Sequence, residues 1–575
     1  MALYAPTLGR GIVNYDDPWL VRDNDLLGKP SAGAVSTVLF DMRPETRFAL
    51  GAEYLPVRDL SIMADRAIWG DWYPGYHLTN LVLYLAAIAL WSAALVALGL
   101  DRTLAGLAIL IWAIAPAHAE SVAWISERKG LLGLAFSGAA AFGYLRFRAG
   151  RHAGWLALAL VATACAVWSK APFAFAIAVL AALELVAPAP RRSWRRSLVG
   201  LGAIATIGLA AFVPVLVTAM NLAVVGGDDH APAGWLAMAV GLHGFYLELG
   251  AMAVRNAVSY PIGSIGPSAI QLALGALGLV AALAVTVVPA RGPWQPPRAL
   301  RIGALIWLFG WLPASRLVLP LRAVLVADRY ILFASLGLAI ALAVGLLALP
   351  ASRARTALIG VVCVVAAVRT LDAQAGWADS LTLWERAARA NPIDGNAWSG
   401  YAEAYQELGR PDLAAGVVEE GLASSQDPRL LLRGALIALD HGDRERGLEL
   451  MRRSAEGGHP PAMSNLARLR LQEGHGDEAV QWARKAVAAA PLYAKGYRTL
   501  GVVLLALHHP DEALAALERA SRLAPTDLGT RYDLALVLIE LHRDAEARGH
   551  LEAASSDPAV GMKARAALAR LTDRR

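Results

Sequence analysis

Cysteine is nearly absent: Cys165 and Cys363 are the only two in 575 residues. They sit in separate apolar stretches and match no metal or redox spacing, which argues against both a disulfide and a zinc site. Charge is also scarce, with 17% charged residues against 57% hydrophobic and a mean hydropathy of +0.45. That balance excludes an ordinary soluble protein. A net charge of +6 would suggest a nucleic-acid partner in a soluble chain. Here the arginines cluster in short loops between apolar stretches, so membrane topology explains the surplus and no nucleic acid is expected. No cleavable signal pattern opens the chain. Only about eight apolar-leaning residues precede Arg10, against the roughly twenty that a span needs. Either a short first helix is tucked into protein, or the reading frame begins upstream. Internal duplication of the spans and Gly- or Pro-broken helix pairs in matching positions are lacking too, which argues against a transporter.

What is present is segregated. Apolar blocks fill residues 1–371 and are diluted over 372–575, which predicts an all-α chain: a polytopic membrane domain followed by a soluble helical one. Residues 12–77 form a long polar outer loop with Trp19, Trp69, Trp72 and Tyr73, aromatics of the kind that gather at membrane interfaces. Candidate spans follow at 78–100, 104–117, 131–147, 155–168, 173–186, 198–220, 235–254, 269–288, 302–319, 331–349 and 357–368. Arg102, the Arg146/Arg148/Arg151 loop and the Arg191/Arg192/Arg195/Arg196 loop read as cytoplasmic. Residues 12–77, 118–129 and 226–232 then lie on the opposite side. The later Arg-rich loops, at Arg291/Arg298/Arg301 and Arg353/Arg355, agree only if one segment does not cross. The choice falls on 235–254, which carries His243 and Glu248, as a re-entrant or interfacial helix. On this count the C-terminal domain shares a side with Asp16 and Asp17.

The C-terminal third is periodic. Pro491 and Pro525 lie 34 residues apart, and Tyr497, Leu500, Gly501, Leu504, Ala513, Leu517 and Ala520 fall at tetratricopeptide positions. Copies precede and follow; the one around 432–451 is irregular, and 383–392 reads as half a repeat joined to the last span. Such a solenoid offers a surface for a polypeptide partner, or serves as a spacer.

Asn14-Tyr15-Asp16-Asp17 places two carboxylates at the membrane boundary. Alone, the pair reads as an acidic turn where the chain leaves the bilayer. The predicted topology adds further ionisable groups on the same side: His77, His118, Glu120, Arg128 and Lys129, Arg255 and Tyr260, Arg316 and Arg322, and Asp328-Arg329-Tyr330. Convergence of carboxylates, imidazoles and guanidiniums at one bilayer surface points to chemistry. A carboxylate can activate a hydroxyl, and Arg or Lys can hold phosphate oxygens.

These stretches resemble a known group. Asn14-Tyr15-Asp16-Asp17 with Asn24 downstream, Tyr54-Leu55-Pro56-Val57-Arg58, Gly75-Tyr76-His77-Leu78-Thr79-Asn80, the run Pro116-Ala117-His118-Ala119-Glu120 through Arg128-Lys129, and Asp328-Arg329-Tyr330-Ile331-Leu332 are similar to the GT-C glycosyltransferases. Within that superfamily they resemble the transmembrane and tetratricopeptide-repeat O-mannosyltransferases and their bacterial relatives. The resemblance implies an inverting, integral-membrane enzyme of the extracytoplasmic side, as in a bacterial inner membrane. It would move a sugar from a polyprenyl-phosphate donor to an acceptor such as a protein hydroxyl. It makes Asp16 and Asp17 the catalytic acidic pair, Arg329, Arg128 and Lys129 the donor-phosphate contacts, and His77, His118, Glu120 and Tyr330 the cavity lining. The family has metal-dependent and metal-independent members; no ligand set beyond the two carboxylates is visible, so no bound metal or tight cofactor is expected. Where the family has Arg before the proline near Tyr54, this chain has Leu55, so Arg58 is not equated with it. Two other readings are a non-enzymatic membrane-anchored scaffold for envelope proteins and a transporter of a lipid-linked sugar. An anchor needs far fewer spans than this chain has.

Overall fold

The structure, a computed structural model, describes residues 2–186, 194–222, 234–251, 258, 260, 262–287, 296–315, 317 and 326–573. Arg255, Arg316, Arg322 and the loop 226–232 lie outside these. Among the described residues every regular element is helical. The chain forms two compact units, Met1–Asn391 and Pro392–Arg575. That division falls twenty residues after the 371/372 boundary read from the sequence, because Ser380–Ala390 packs with the first unit.

The first unit contains α1 (Pro56–Trp69), α2 (Tyr73–Ala97), α3 (Arg102–Ala113), α4 (Arg128–Arg148), α5 (Gly154–Ser169), α6 (Phe175–Val186) and α7 (Trp194–Asn221). It continues with α8 (Trp235–Gly250), α9 (Ala269–Val287), α10 (Arg298–Trp311), α11 (Ser335–Ala348), α12 (Arg353–Ala375) and α13 (Ser380–Ala390). Within the described residues each apolar stretch read as a span is mainly helical, although α3 ends at Ala113 and α10 at Trp311, short of the bounds read, and α11 starts only at Ser335. Among the described residues five helices are long and apolar enough to cross a membrane: α2, Ile125–Arg148, α7, α9 and α12. A sixth is added if α3 and Pro116–Ala123, bent by 57°, count as one. The N-terminal Ala2–Gly9 is a short 3-10 segment. It packs against α2 through Tyr4 and Tyr84, ring centroids 5.3 Å apart, and is tied to α12 by the Gln374 amide, which donates to Leu3 O at 3.1 Å.

Polar groups within α8 are satisfied by protein. His243 Nδ1 donates to Gly275 O at 3.0 Å, its Nε2 accepts from Trp307 Nε1 at 2.7 Å, and Glu248 accepts from Gln271 at 3.2 Å. Glycine lets the backbones of α8 and α9 come this close. A Cβ on Gly275 would lie 1.8 Å from Val240 O, and one on Gly244 1.9 Å from Gln271 O. Such small-residue contacts let apolar helices gain from close van der Waals packing.

The second unit is five antiparallel helix pairs and a closing helix, a tetratricopeptide-like solenoid. The pairs are α14/α15 (Gly395–Glu407, Pro411–Leu422), α16/α17 (Pro428–Asp440, Arg444–Glu456), α18/α19 (Pro460–Gln472, Gly476–Ala489), α20/α21 (Ala494–Ala506, Pro510–Leu523) and α22/α23 (Leu528–Glu540, Asp544–Ala554), followed by α24 (Gly561–Asp573). Small residues recur where paired helices touch: Ala402, Ala435, Ala467, Gly501 and Ala535 on first helices, Ala414, Gly447, Ala479, Ala513 and Ala547 on second ones, all buried. The copy that looks irregular in sequence is an ordinary pair, its spacing to its neighbours shortened by a residue or two. Within each pair the turn needs one left-handed residue, supplied by Gly409, Gly442 and Gly474 and then by His508 (φ 60°) and His542 (φ 58°). Aspartate side chains cap α14, α16, α17 and α22 at their N-termini, satisfying amides that the helix leaves open.

Candidate active site

The acidic loop is pinned from several directions. His77, at the start of α2, donates from Nε2 to Gly11 O at 3.1 Å; a carbonyl acceptor requires that nitrogen to carry the proton. Arg10 donates to Gln374 O at 2.6 Å, Asn14 N donates to Ser380 Oγ at 2.9 Å, and Trp384 Nε1 donates to Asn14 Oδ1 at 2.5 Å. The Tyr15 ring stacks on Trp124 at 4.8 Å and meets Trp384 edge-on at 5.4 Å, while Trp124 stacks on Trp377 at 5.4 Å. So α13, read from the sequence as half a repeat, helps build this site.

The two aspartates then diverge. Asp17 is buried: Oδ1 accepts from Ser126 N at 3.0 Å and from Ser126 Oγ at 2.5 Å, and Oδ2 accepts from Val13 N at 3.2 Å. Burial pushes its carboxyl up to about 6 even though these hydrogen bonds pull the other way. Its oxygens clamp the loop to the 116–129 segment, so Asp17 is a positioning residue. Asp16 is only partly buried, and among the described residues it enters no ion pair. Burial raises its carboxyl above the ordinary range; Lys129 and Arg329, within electrostatic reach, oppose this, Glu53 adds to it, and the Trp19 indole donates to it.

Around Asp16 lies a network of alternating charges. Lys129 donates to Glu53 at 2.7 Å, and Glu53 also accepts from Arg58 at 3.0 Å. Burial alone would raise the Glu53 carboxyl, but the Lys129 and Arg58 charges outweigh it and the net direction is down. Lys170, in the bend between α5 and α6, pairs with Glu127. Arg329 pairs with Glu120 through its guanidinium, and its backbone N–H donates to the other Glu120 oxygen at 3.0 Å. The Arg329 guanidinium also sits 3.7 Å from Glu127 Oε2, a buried oxygen with no hydrogen bond. It lies over the Trp124 ring at 5.3 Å and the Tyr330 ring at 5.2 Å, and Lys170 lies 5.9 Å from the Tyr330 ring. Asp328 turns to the Tyr260 hydroxyl, which donates to it. Burial and the nearby Glu120 charge push its carboxyl up to about 8.

Of the residues singled out in the sequence, Asp16, Lys129, Glu120, Arg329 and Tyr330 converge here. Arg128 does not face the cluster. It is buried, paired with Asp65 at 2.5 Å, and donates to Asn80 at 2.9 Å, Ser61 O at 3.2 Å and Tyr76 O at 3.0 Å, so its donors are occupied within protein and it is not placed to hold a phosphate. His118 is likewise a core residue and no cavity wall, bonded to Tyr84 at 2.7 Å and Ser335 at 2.9 Å. His77 is buried and holds the loop from behind. Sequence reasoning passed over Glu53, Lys170 and the ion-pair role of Glu127. Lys170 carried a signal, being a lone cation between two apolar stretches; Glu53 carried none. Among the described residues no three His, Cys, Asp or Glu side chains are grouped as a metal would require.

No protein-family model matches the chain, and no curated protein matches it either. Among solved structures it is similar to MamA (residue 41 to the end) from Desulfovibrio magneticus RS-1, with 19% identity and a TM-score of 0.25 over 28% of this chain and 97% of that one. It is similar also to YrrB, described as a TPR protein with an unusual peptide-binding site (13% identity, TM-score 0.26, 32% of this chain and 96% of that one). PilF of Pseudomonas aeruginosa gives 16% identity and a TM-score of 0.28 over 31% of this chain and 84% of that one. Each covers about a third of this chain or less and carries no argument about function. The repeat architecture of the second unit stands on its own helix pairs, and the chemistry on the cluster around Asp16.

Proposed function

We propose that the protein is an integral-membrane inverting glycosyltransferase of the GT-C kind, resembling the O-mannosyltransferases with tetratricopeptide repeats. Asp16 takes the proton from an acceptor hydroxyl as its oxygen attacks the anomeric carbon. The bond from that carbon to the polyprenyl phosphate breaks, and the leaving phosphate gains a charge. Lys129, Lys170 and Arg329 supply positive potential where that charge develops. Lys129 and Lys170 each donate to a carboxylate, and an ammonium carries three donors. Glu53, Glu120 and Glu127 hold the three cations in place. The repeat unit recruits a polypeptide acceptor, as solenoids of this kind present extended surfaces to chains. The site and the repeats are assigned to the extracytoplasmic side. In support, the chain leaves the first unit through α13, which contacts the acidic loop.

The observation that carries the reading is the Asp16 carboxylate, which enters no ion pair among the described residues although it is within reach of Lys129 and Arg329. An anchor for a scaffold has no use for a buried network of this size, which costs desolvation energy to assemble. The test is to incubate purified protein with a panel of radiolabelled polyprenyl-phosphate sugars and envelope extract. Wild type should label a product, and Asp16→Asn should insert normally, bind donor lipid and label none. Turnover at the wild-type rate in that variant would sink the assignment.

A further inference from the structure

At the far end of α2 from His77 a groove opens. Helix α2 is 25 residues long, about 37 Å at 1.5 Å per residue, and the groove lies beside its last turns, between α2, α3 and α4. It encloses about 770 Å³. Ala89, Ala93, Val96 and Ala97 line it from α2, at the three- and four-residue spacing that puts them on one helix face. Gly106 on α3 keeps the opposite wall low, and the mouth carries Arg102 and Arg146.

The two arginines stand at the mouth without an acidic partner among the described residues. Arg148 pairs with Glu184, and Arg196 donates to backbone carbonyls of Phe147 and Arg151. Among the described residues neither Arg102 nor Arg146 enters an ion pair. The acid nearest in sequence, Asp101, turns its carboxylate to the amides of Thr103 and Leu104, at 2.8 and 3.2 Å. The Arg146 guanidinium is held over Trp155 at 5.4 Å and Phe142 at 5.8 Å, and its Nε is buried with no hydrogen-bond partner. Positive charge at a cytoplasmic loop explains why arginines are here. It does not explain an apolar trough leading away from a pair without counter-ions.

We infer that this groove binds an anionic glycerophospholipid, with Arg102 and Arg146 on the headgroup phosphate and one acyl chain along the alanine face of α2. Two guanidiniums without a counter-charge complement an anion, and basic pockets between helices at the cytoplasmic face are a recognised setting for anionic headgroups. The occupant is a lipid because, Ser92 apart, the α2 wall of the trough is apolar from Ala89 to Ala97, about two helical turns.

The test uses the purified full chain in detergent, with phosphatidylglycerol, phosphatidylcholine or inorganic phosphate added and bound lipid read by native mass spectrometry. Wild type should retain phosphatidylglycerol over phosphatidylcholine, and the double change Arg102→Gln with Arg146→Gln should cut retention at least about ten-fold. Arg196→Gln, outside the groove at the same end, should leave retention unchanged. Ala93→Trp, which fills the trough and removes no charge, should reduce it too and carries the test if the double variant fails to fold. Equal retention in the groove variants and wild type, equal loss in Arg196→Gln, or displacement of the lipid by an equimolar amount of inorganic phosphate would overturn the proposal.

Discussion

Asp16 offers a carboxylate outside every ion pair among the described residues, whereas Asp17 binds Ser126 and Val13 in the core, and substitution therefore separates two effects. Asp16→Asn is expected to lower transfer by about 10²-fold or more, the usual scale for a positioned base, while leaving thermal stability in detergent within about 1 kcal/mol of wild type, as for a partly exposed side chain. Because burial raises the Asp16 carboxyl, and a base must be ionised, the acidic limb of kcat/KM against pH should lie above the ordinary carboxylate range and persist in Asp16→Glu. Asp17 governs stability instead. Its carboxyl stands at about 6 in the folded protein against an ordinary 3.8, so between those values the folded state holds the proton more tightly than the unfolded one. Stability from this group is therefore greatest at low pH and falls as pH rises through about 6. Asp328, raised to about 8, acts in the same direction over a wider window. Burial lowers His77 to about 4, which makes stability rise with pH between about 4 and 6.5 and so opposes the Asp17 contribution. The check is therefore a difference: Asp17→Asn, although less stable overall, should lose less melting temperature relative to wild type at pH 6 than at pH 4. Arg128→Gln should cost roughly 3–5 kcal/mol by stranding buried Asp65, seen as loss of folded protein whether or not donor lipid is present.

At the scale of elements, close backbone approach and turn geometry make the sharpest demands. Gly275→Val would drive a side chain into the α8 backbone, since even a Cβ there would meet Val240 O at 1.8 Å. A loss of more than about 2 kcal/mol is expected, visible as a lowered melting temperature in detergent. In the solenoid, His542 occupies the left-handed turn position that glycine fills in three other pairs. Such a conformation costs a non-glycine residue about 1–2 kcal/mol, so His542→Gly should stabilise the unit by up to about 1 kcal/mol after the extra freedom of glycine in the unfolded chain is discounted. Urea unfolding followed by circular dichroism measures it; a fall in midpoint would contradict the turn argument.

For the whole molecule, the place where the two units divide is open to test by truncation. A chain ending at Asn391 keeps Ser380 and Trp384 on the acidic loop and should purify as a monodisperse, folded membrane protein. One ending at residue 371, the boundary visible in composition, loses both contacts together with Gln374 and Trp377. It should melt lower than the 391 chain, and equal melting temperatures would show that α13 is dispensable. Pro392–Arg575, with its own buried core, should unfold cooperatively by itself.

Much of this molecule was legible in one dimension because its physics is local. Apolar runs, an alanine and glycine pattern recurring about every 34 residues, and aspartates and prolines at helix starts each act within a turn or a pair of helices, so the helices and the repeats could be read directly. The shortened copy near residue 432 escaped because its loops differ while its packing does not. Long-range partnership lay beyond reach. Arg128 and Lys129 are neighbours with the same charge, yet a helix turns one into a pocket around Asp65 and the other toward Glu53, and no pattern of residues distinguishes them. The same holds for His118, locked between Tyr84 and Ser335, and for Lys170, brought to Glu127 by the bend after α5. Sequence by itself determined which groups could carry charge beside the apolar helices of the first unit. Only the tertiary structure decided that Asp17 is buried on Ser126 and Val13 while its neighbour Asp16 stays partly exposed and outside the ion pairs of the described residues, because burial and pairing depend on what the rest of the chain places alongside.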